Sequence, residues 1–129
     1  MHRNHLIGRR LICLGGFFPL AVGTYFYLQA IWSYFQTTAF LEVTVIRHIG
    51  YANLMMTGLL TILLAHFGLR SPSRWVWWSL LAIALWTGGN DSVAMIILTM
   101  NQPENNFPVP LIPTFIELVG LWLVAKEVK

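Results

Sequence analysis

Charged residues are scarce in this sequence: lysine, arginine, aspartate and glutamate together make up 10% of its 129 residues. A soluble domain typically carries about 25% charged residues, so this chain has too few to cover a surface that faces water. Hydrophobic residues make up 57% of the sequence, and the mean hydropathy is +0.64. The composition therefore predicts a protein surrounded by lipid, and the length predicts a single domain over residues 1–129.

Cysteine is nearly absent, since Cys13 is the only one. A lone cysteine excludes an internal disulfide and a cysteine-based metal cluster. The formal charge is +3, but the basic residues are scattered in small groups beside apolar runs, as is typical of membrane anchors. We therefore expect membrane lipids around the protein, and we expect no metal, no cofactor and no nucleic acid.

The sequence contains four long apolar segments, at about residues 11–35, 49–69, 75–100 and 109–125, each near the roughly 20 residues that a membrane helix needs. Prolines mark their ends: Pro72 lies between the second and third segments, and Pro113 suits the first turn of the fourth. This pattern predicts an all-α fold, a four-helix transmembrane bundle.

The basic residues indicate the orientation of this bundle. Seven of the eight lie at the amino end, at the carboxyl end or between the second and third helices, which fall on one side of the membrane. Arg47 is the one basic residue on the other side. By the positive-inside rule both termini are cytoplasmic, and the expected location is a bacterial inner membrane or an equivalent membrane.

Two carboxylates lie within the predicted helices, Asp91 in the third and Glu117 in the fourth. Charged groups at membrane depth cost about 2.5–3.5 kcal/mol on insertion scales and usually face the bundle interior. Asp91 lies roughly 24 Å along its helix from Trp75, and Glu117 lies roughly 10 Å from Pro110, at 1.5 Å per residue. Both fall in the outer half of the bilayer, so we predict that they share one polar cavity.

Other residues are predicted to lie near the same outer half of the bilayer and to help bind a ligand there: Asn53, Asn90, Arg47, Tyr25, Gln29 and Trp86. The alternative is a structural network, because polar side chains also hold membrane helices together at about 0.6 kcal/mol each. Arg47 could equally neutralise a carboxylate or lie among lipid headgroups.

Gly88 and Gly89 are adjacent glycines within the third helix. Each lowers helix propensity by about 1 kcal/mol relative to alanine, and the helix is longer than a bilayer core requires. We therefore predict a break or kink at this pair. The alternative is a straight helix whose glycines allow close packing.

The chain resembles the small four-helix membrane families grouped as DoxX-like, several of which are domains of unknown function. The resembling motifs are Arg47-His48-Ile49-Gly50, Gly68-Leu69-Arg70, Trp75-Val76-Trp77-Trp78 and Phe115-Ile116-Glu117-Leu118. The resemblance implies a four-helix bundle and carries over no functional residue. Where some relatives are expected to have an arginine in the third helix, this chain has Gly88-Gly89-Asn90-Asp91.

Three functions remain open from the sequence. The first is a non-enzymatic protein, either an accessory subunit of a larger membrane complex or a binder of a lipophilic small molecule. The second is a membrane-embedded isomerase, cyclase or hydrolase in which Asp91 and Glu117 act as acid and base on a lipid-soluble substrate. The third is a homo-oligomeric proton-coupled transporter, although the first helix lacks the glutamate that such multidrug transporters usually carry there.

Overall fold

The computed structural model describes residues 3–34, 41–71, 73–101 and 111–128. These residues form α1 (Arg3–Tyr34), α2 (Leu41–His66), a short 3-10 helix (Gly68–Arg70), α3 (Arg74–Asn101) and α4 (Leu111–Ala125). This described part contains four α-helices and no strand, so the predicted all-α class is confirmed. α1 and α2 each begin about eight residues before the first and second predicted apolar segments. Both helices therefore include polar residues that precede those segments.

The four helices run antiparallel to their neighbours, and α1 packs along its length between α2 and α4. Glycines make this close approach possible. A Cβ atom on Gly58 of α2 would lie 2.5 Å from the carbonyl oxygen of Gly16 in α1. On the other side of α1, a Cβ atom on Gly8 would lie 2.6 Å from the carbonyl oxygen of Gly120 in α4. Larger side chains at these positions would force the helices apart.

The buried core lies in one half of the bundle, near the beginning of α1 and the end of α2. Its fully buried apolar side chains are Ile12, Ala65, Leu69, Val76, Leu80, Ala84, Leu121 and Val124. Side-chain hydrogen bonds to backbone carbonyls also join helices at this end. Arg9 donates from Nε to the carbonyl of Ala65 (3.1 Å) and from Nη2 to that of His66 (2.6 Å). Trp77 Nε1 donates to the carbonyl of Leu121 over 3.0 Å, which fixes α3 against α4.

α3 continues as one α-helix through Gly88 and Gly89, so the break predicted there is wrong, and a kink at the pair stays a prediction. Close packing explains the first glycine: a Cβ atom on Gly88 would lie 2.6 Å from Cγ2 of Thr114 in α4. The Ser92 hydroxyl donates to the Gly88 carbonyl over 2.7 Å, within the same helix. The close contact with α4 gives a physical reason for a glycine at position 88 despite its low helix propensity.

The outer surface of the bundle is strongly apolar. Large hydrophobic side chains are exposed on every helix, including Phe17 in α1, Met56 in α2, Leu85 in α3 and Phe115 in α4. Within the described residues, two stretches are long and apolar enough to cross a membrane: Arg3–Trp32, with a mean hydropathy of 1.7, and Arg47–Arg70, with 1.6. α4 is apolar but shorter, at 15 residues.

Candidate ligand-binding cavity

A cavity of about 300 Å³ lies in the half of the bundle opposite the core, and all four helices contribute to its wall. α1 and α2 supply mainly apolar surface, and α3 and α4 supply both carboxylates. The lining residues are Phe18, Pro19, Val22, Leu54, Thr57, Thr87, Asp91, Pro113, Thr114 and Glu117. The cavity therefore combines an apolar wall with two acidic groups.

Glu117 is the most enclosed polar group of this cavity, with 5% of its surface exposed. Its side chain crosses from α4 to the backbone of α1 at Gly15. A Cβ atom on Gly15 would clash with Cγ of Glu117 and would lie 2.9 Å from the carbonyl oxygen of Pro113. The absence of a side chain at Gly15 therefore gives Glu117 its position.

Asp91 lines the same cavity from α3 and is half-buried. Thr87 precedes it by four residues, on the same helix face, and lines the same cavity. The Asp91 and Glu117 side chains are close enough for their charges to interact. The structure thus brings both predicted carboxylates to one cavity, one from each of two neighbouring helices.

Neither carboxylate has a partner of opposite charge in the part of the chain that the structure describes, and neither accepts a hydrogen bond there. Among the described residues that line the cavity there is no lysine, arginine or histidine. Within the same described residues, no group of three His, Cys, Asp or Glu side chains is placed to hold a metal ion. The cavity is therefore acidic, and no positive charge on the described residues neutralises its two carboxyl groups.

Among the described lining residues, three carry a hydroxyl group, and two of these, Thr57 and Thr87, donate their protons within their own helices. The third is Thr114. Thr57 Oγ1 donates to the carbonyl of Asn53 over 2.7 Å, and Thr87 Oγ1 donates to the carbonyl of Ile83. Pro19 and Pro113 have no backbone N–H to offer. Thr57, Thr87 and these two prolines therefore present acceptors or apolar surface to the cavity, and not hydrogen-bond donors.

A second depression, the α2–α3 groove, lies next to this cavity and has a volume of about 460 Å³. It is lined by Asn53, Met56, Thr57, Leu59, Leu60, Leu63 and Trp86. Thr57 belongs to the wall of both the groove and the cavity. Of the predicted binding residues, Asn53 and Trp86 therefore meet in the groove beside the carboxylates and do not line the cavity itself.

The remaining predicted binding residues lie outside both spaces. Tyr25, Gln29, Arg47 and Asn90 are exposed, and none of them lines the cavity or the groove. Tyr25 packs edge-on against its neighbour Phe26. α1 instead contributes Phe18, Pro19 and Val22, one helical turn or two beyond Gly15.

Sequence reasoning did not assign Thr87, Thr114, Pro19 or Leu54 to the site. A signal for the first two was present, because Thr87 and Thr114 lie four and three residues before the carboxylates and share their helix faces. Leu54 carries no such signal, since an apolar residue in an apolar helix fits a lipid-facing position equally well. Comparison with protein-family models, with curated proteins and with solved structures gave no match for this chain.

Proposed function

We propose that this chain is an integral membrane protein that crosses the bilayer four times and binds a lipophilic molecule in the cavity of Asp91 and Glu117. The cavity carries the proposal. Its apolar wall suits a hydrocarbon-rich ligand, and its few polar groups are gathered where they could fix a ligand's orientation. Carboxylates at membrane depth are costly and are usually retained for function.

The membrane setting is supported by the outer surface and by the distribution of charge. Large apolar side chains cover the outside of the bundle, where lipid would contact them. Arg9 at the beginning of α1 contacts the end of α2, which places Arg3, Arg10, Arg70 and Arg74 near that same end of the bundle. Arg47 lies near the beginning of α2, at the opposite end. We propose that the arginine-rich end is cytoplasmic, with both termini on that side.

Aromatic residues at the arginine-rich end favour the same setting. Trp75, Trp78 and Trp122 are each more than half exposed there. Lys126 Nζ lies 5.3 Å from the ring centre of Trp122. Exposed tryptophans beside basic residues are typical of the boundary between lipid tails and headgroups.

Extraction of bound lipophiles from the purified protein tests the binding function. We expect mass spectrometry to detect a species that co-purifies with the native protein and is lost from Glu117→Gln and from Val22→Phe, which fills the cavity. The matched control is Val93→Phe, because Val93 is exposed on α3 and does not line the cavity. Extracts that are the same for all four proteins would refute binding in this cavity.

Catalysis is a second candidate, favoured by the presence of both carboxylates in one cavity. An acid and a base on opposite sides of a bound lipid could transfer protons without a metal. The same extraction separates the two functions. If the protein is an enzyme, Asp91→Asn or Glu117→Gln retains an unconverted substrate whose mass or fragmentation differs from the species bound to the native protein.

A further inference from the structure

We infer that the ligand is a lipophilic amine, whose protonated head group lies between Asp91 and Glu117 and whose hydrocarbon tail lies in the α2–α3 groove. This inference rests on the proposed function, since it concerns the same cavity. It adds the chemical class of the ligand and the side of the bundle through which the ligand reaches the cavity.

The hydrogen-bonding character of the wall favours a ligand that donates. The hydroxyl protons of Thr57 and Thr87 are used within their own helices, and Pro19 and Pro113 have no N–H. The carboxylates are acceptors when ionised. An ammonium group has several N–H donors and no acceptor, so it matches this wall, whereas a carboxylate or phosphate head group would find few donors.

The charge of the site favours the same ligand. Glu117 is 5% exposed and has no basic partner among the described residues. An isolated buried carboxylate is expensive, and a positive charge beside it removes most of that cost. A neutral alcohol brings no positive charge, so it would bind the carboxyl group in its uncharged form and would gain no charge pairing.

The α2–α3 groove gives the tail a place outside the small cavity. α2 and α3 contact each other far less than α1 contacts α2. The groove between them adjoins the cavity at Thr57, and most of its remaining wall is apolar. A hydrocarbon tail there would still touch lipid on one side, so a ligand dissolved in the bilayer could enter sideways without crossing water.

Photolabelling in a lipid bilayer tests the head group. The probes are dodecylamine, dodecanol and dodecanoic acid, each with a diazirine in its chain. We expect the amine to label the groove residues Met56 and Trp86 at about tenfold lower concentration than the alcohol, because charge-assisted hydrogen bonds are about twice as strong as neutral ones. Equal labelling by amine and alcohol, with both signals lost in Glu117→Gln, would overturn the amine and leave the proposed function standing. Labelling that Glu117→Gln does not change for any probe would overturn both.

Substitution of Thr57 tests the sideways route. Thr57→Phe places a ring where the groove meets the cavity, whereas Thr57→Val keeps the size of the side chain and removes only the hydroxyl. We expect the amine probe to label Thr57→Phe about tenfold more slowly than the native protein, a change of about 1.4 kcal/mol in the barrier, and to label Thr57→Val at the native rate. Leu60→Trp obstructs the groove from another position, in case Thr57→Phe does not fold. Native labelling rates in a folded blocking variant would overturn the route between α2 and α3.

Discussion

Gly15 of α1 and Glu117 of α4 occupy complementary space: the Glu117 side chain lies where a side chain of residue 15 would lie. A Cβ atom on Gly15 would clash with Cγ of Glu117 and would come within 3.2 Å of its Cδ. The position of the most buried carboxylate therefore depends on a glycine that is 102 residues away in the sequence.

Substitution of this glycine is expected to damage both stability and binding. Gly15→Ala should lower the free energy of unfolding by about 1–3 kcal/mol, because the new methyl group meets the Pro113 backbone as well as the flexible Glu117 side chain. It should also displace the carboxylate and weaken retention of the bound lipophile. Unfolding in a detergent titration and lipid extraction measure the two effects.

Gly89→Ala is the matched control for this experiment. No packing neighbour among the described residues lies within 4 Å of a Cβ atom on Gly89, and the residue is in the middle of α3. Alanine there should raise stability by about 0.5–1 kcal/mol through helix propensity alone. Similar losses for Gly15→Ala and Gly89→Ala would contradict the contact with Glu117.

The helices could be predicted from the sequence because their signals are local. Apolar runs and flanking prolines marked four helices, and the cost of buried charge indicated that Asp91 and Glu117 face inward. Their sharing of one cavity followed from depth along two helices. Those arguments need only the rise of a helix and the chemistry of each residue.

The composition of the cavity wall could not be predicted in this way, because it depends on helix rotation. Tyr25 and Gln29 are polar residues four positions apart on α1, yet both are exposed, and Phe18 and Val22 line the cavity instead. The close packing of Gly8 and Gly16 against two different helices determines the rotation of α1. The spacing of polar and apolar residues within one helix does not predict such contacts between distant residues.

The glycine contact between α1 and α2 leads to a second prediction. Gly58→Ala should lower the free energy of unfolding by about 1–3 kcal/mol, because its methyl group would meet the backbone of Gly16 and Leu20. Gly50 lies in the same helix, and no packing neighbour among the described residues lies within 4 Å of a Cβ atom there. Gly50→Ala should therefore leave stability unchanged or raise it slightly, and an equal loss in both variants would contradict the contact.

Arg9 is expected to stabilise the end of α2 as well as to contribute charge. Its guanidinium group donates to the carbonyls of Ala65 and His66, which lie in the last turn of that helix and lack partners within it. Arg9→Gln should lower the free energy of unfolding by about 1–3 kcal/mol. Arg10→Gln removes the same charge from an exposed side chain and should change stability much less. Equal losses of stability in the two variants would show that Arg9 acts through its charge alone and not through these hydrogen bonds.

The orientation of the bundle can be measured by cysteine labelling in a Cys13→Ala background. Ser73→Cys lies in the turn before α3, at the arginine-rich end, and should be protected from a membrane-impermeant thiol reagent added to intact cells. Asn105→Cys lies outside the described residues, in the predicted outer connection before α4, and should be labelled. Labelling of Ser73→Cys without labelling of Asn105→Cys would reverse the proposed topology.

Neutralising one carboxylate should separate ligand binding from folding. Asp91 and Glu117 line the same cavity without a basic partner on the described residues, so Asp91→Asn removes a repulsion and keeps the side-chain shape. We expect the free energy of unfolding of the ligand-free protein to stay the same or to rise by about 1 kcal/mol, as is common when a site residue that strains the fold is replaced. Retention of the bound lipophile should fall in the same variant. Glu117→Gln should have the same two effects.

If these carboxylates instead hold the helices together through polar contacts, both variants will lose stability before they lose ligand, and the cavity will have a structural role. Detergent unfolding of delipidated protein, set beside extraction from the same preparation, decides between the two.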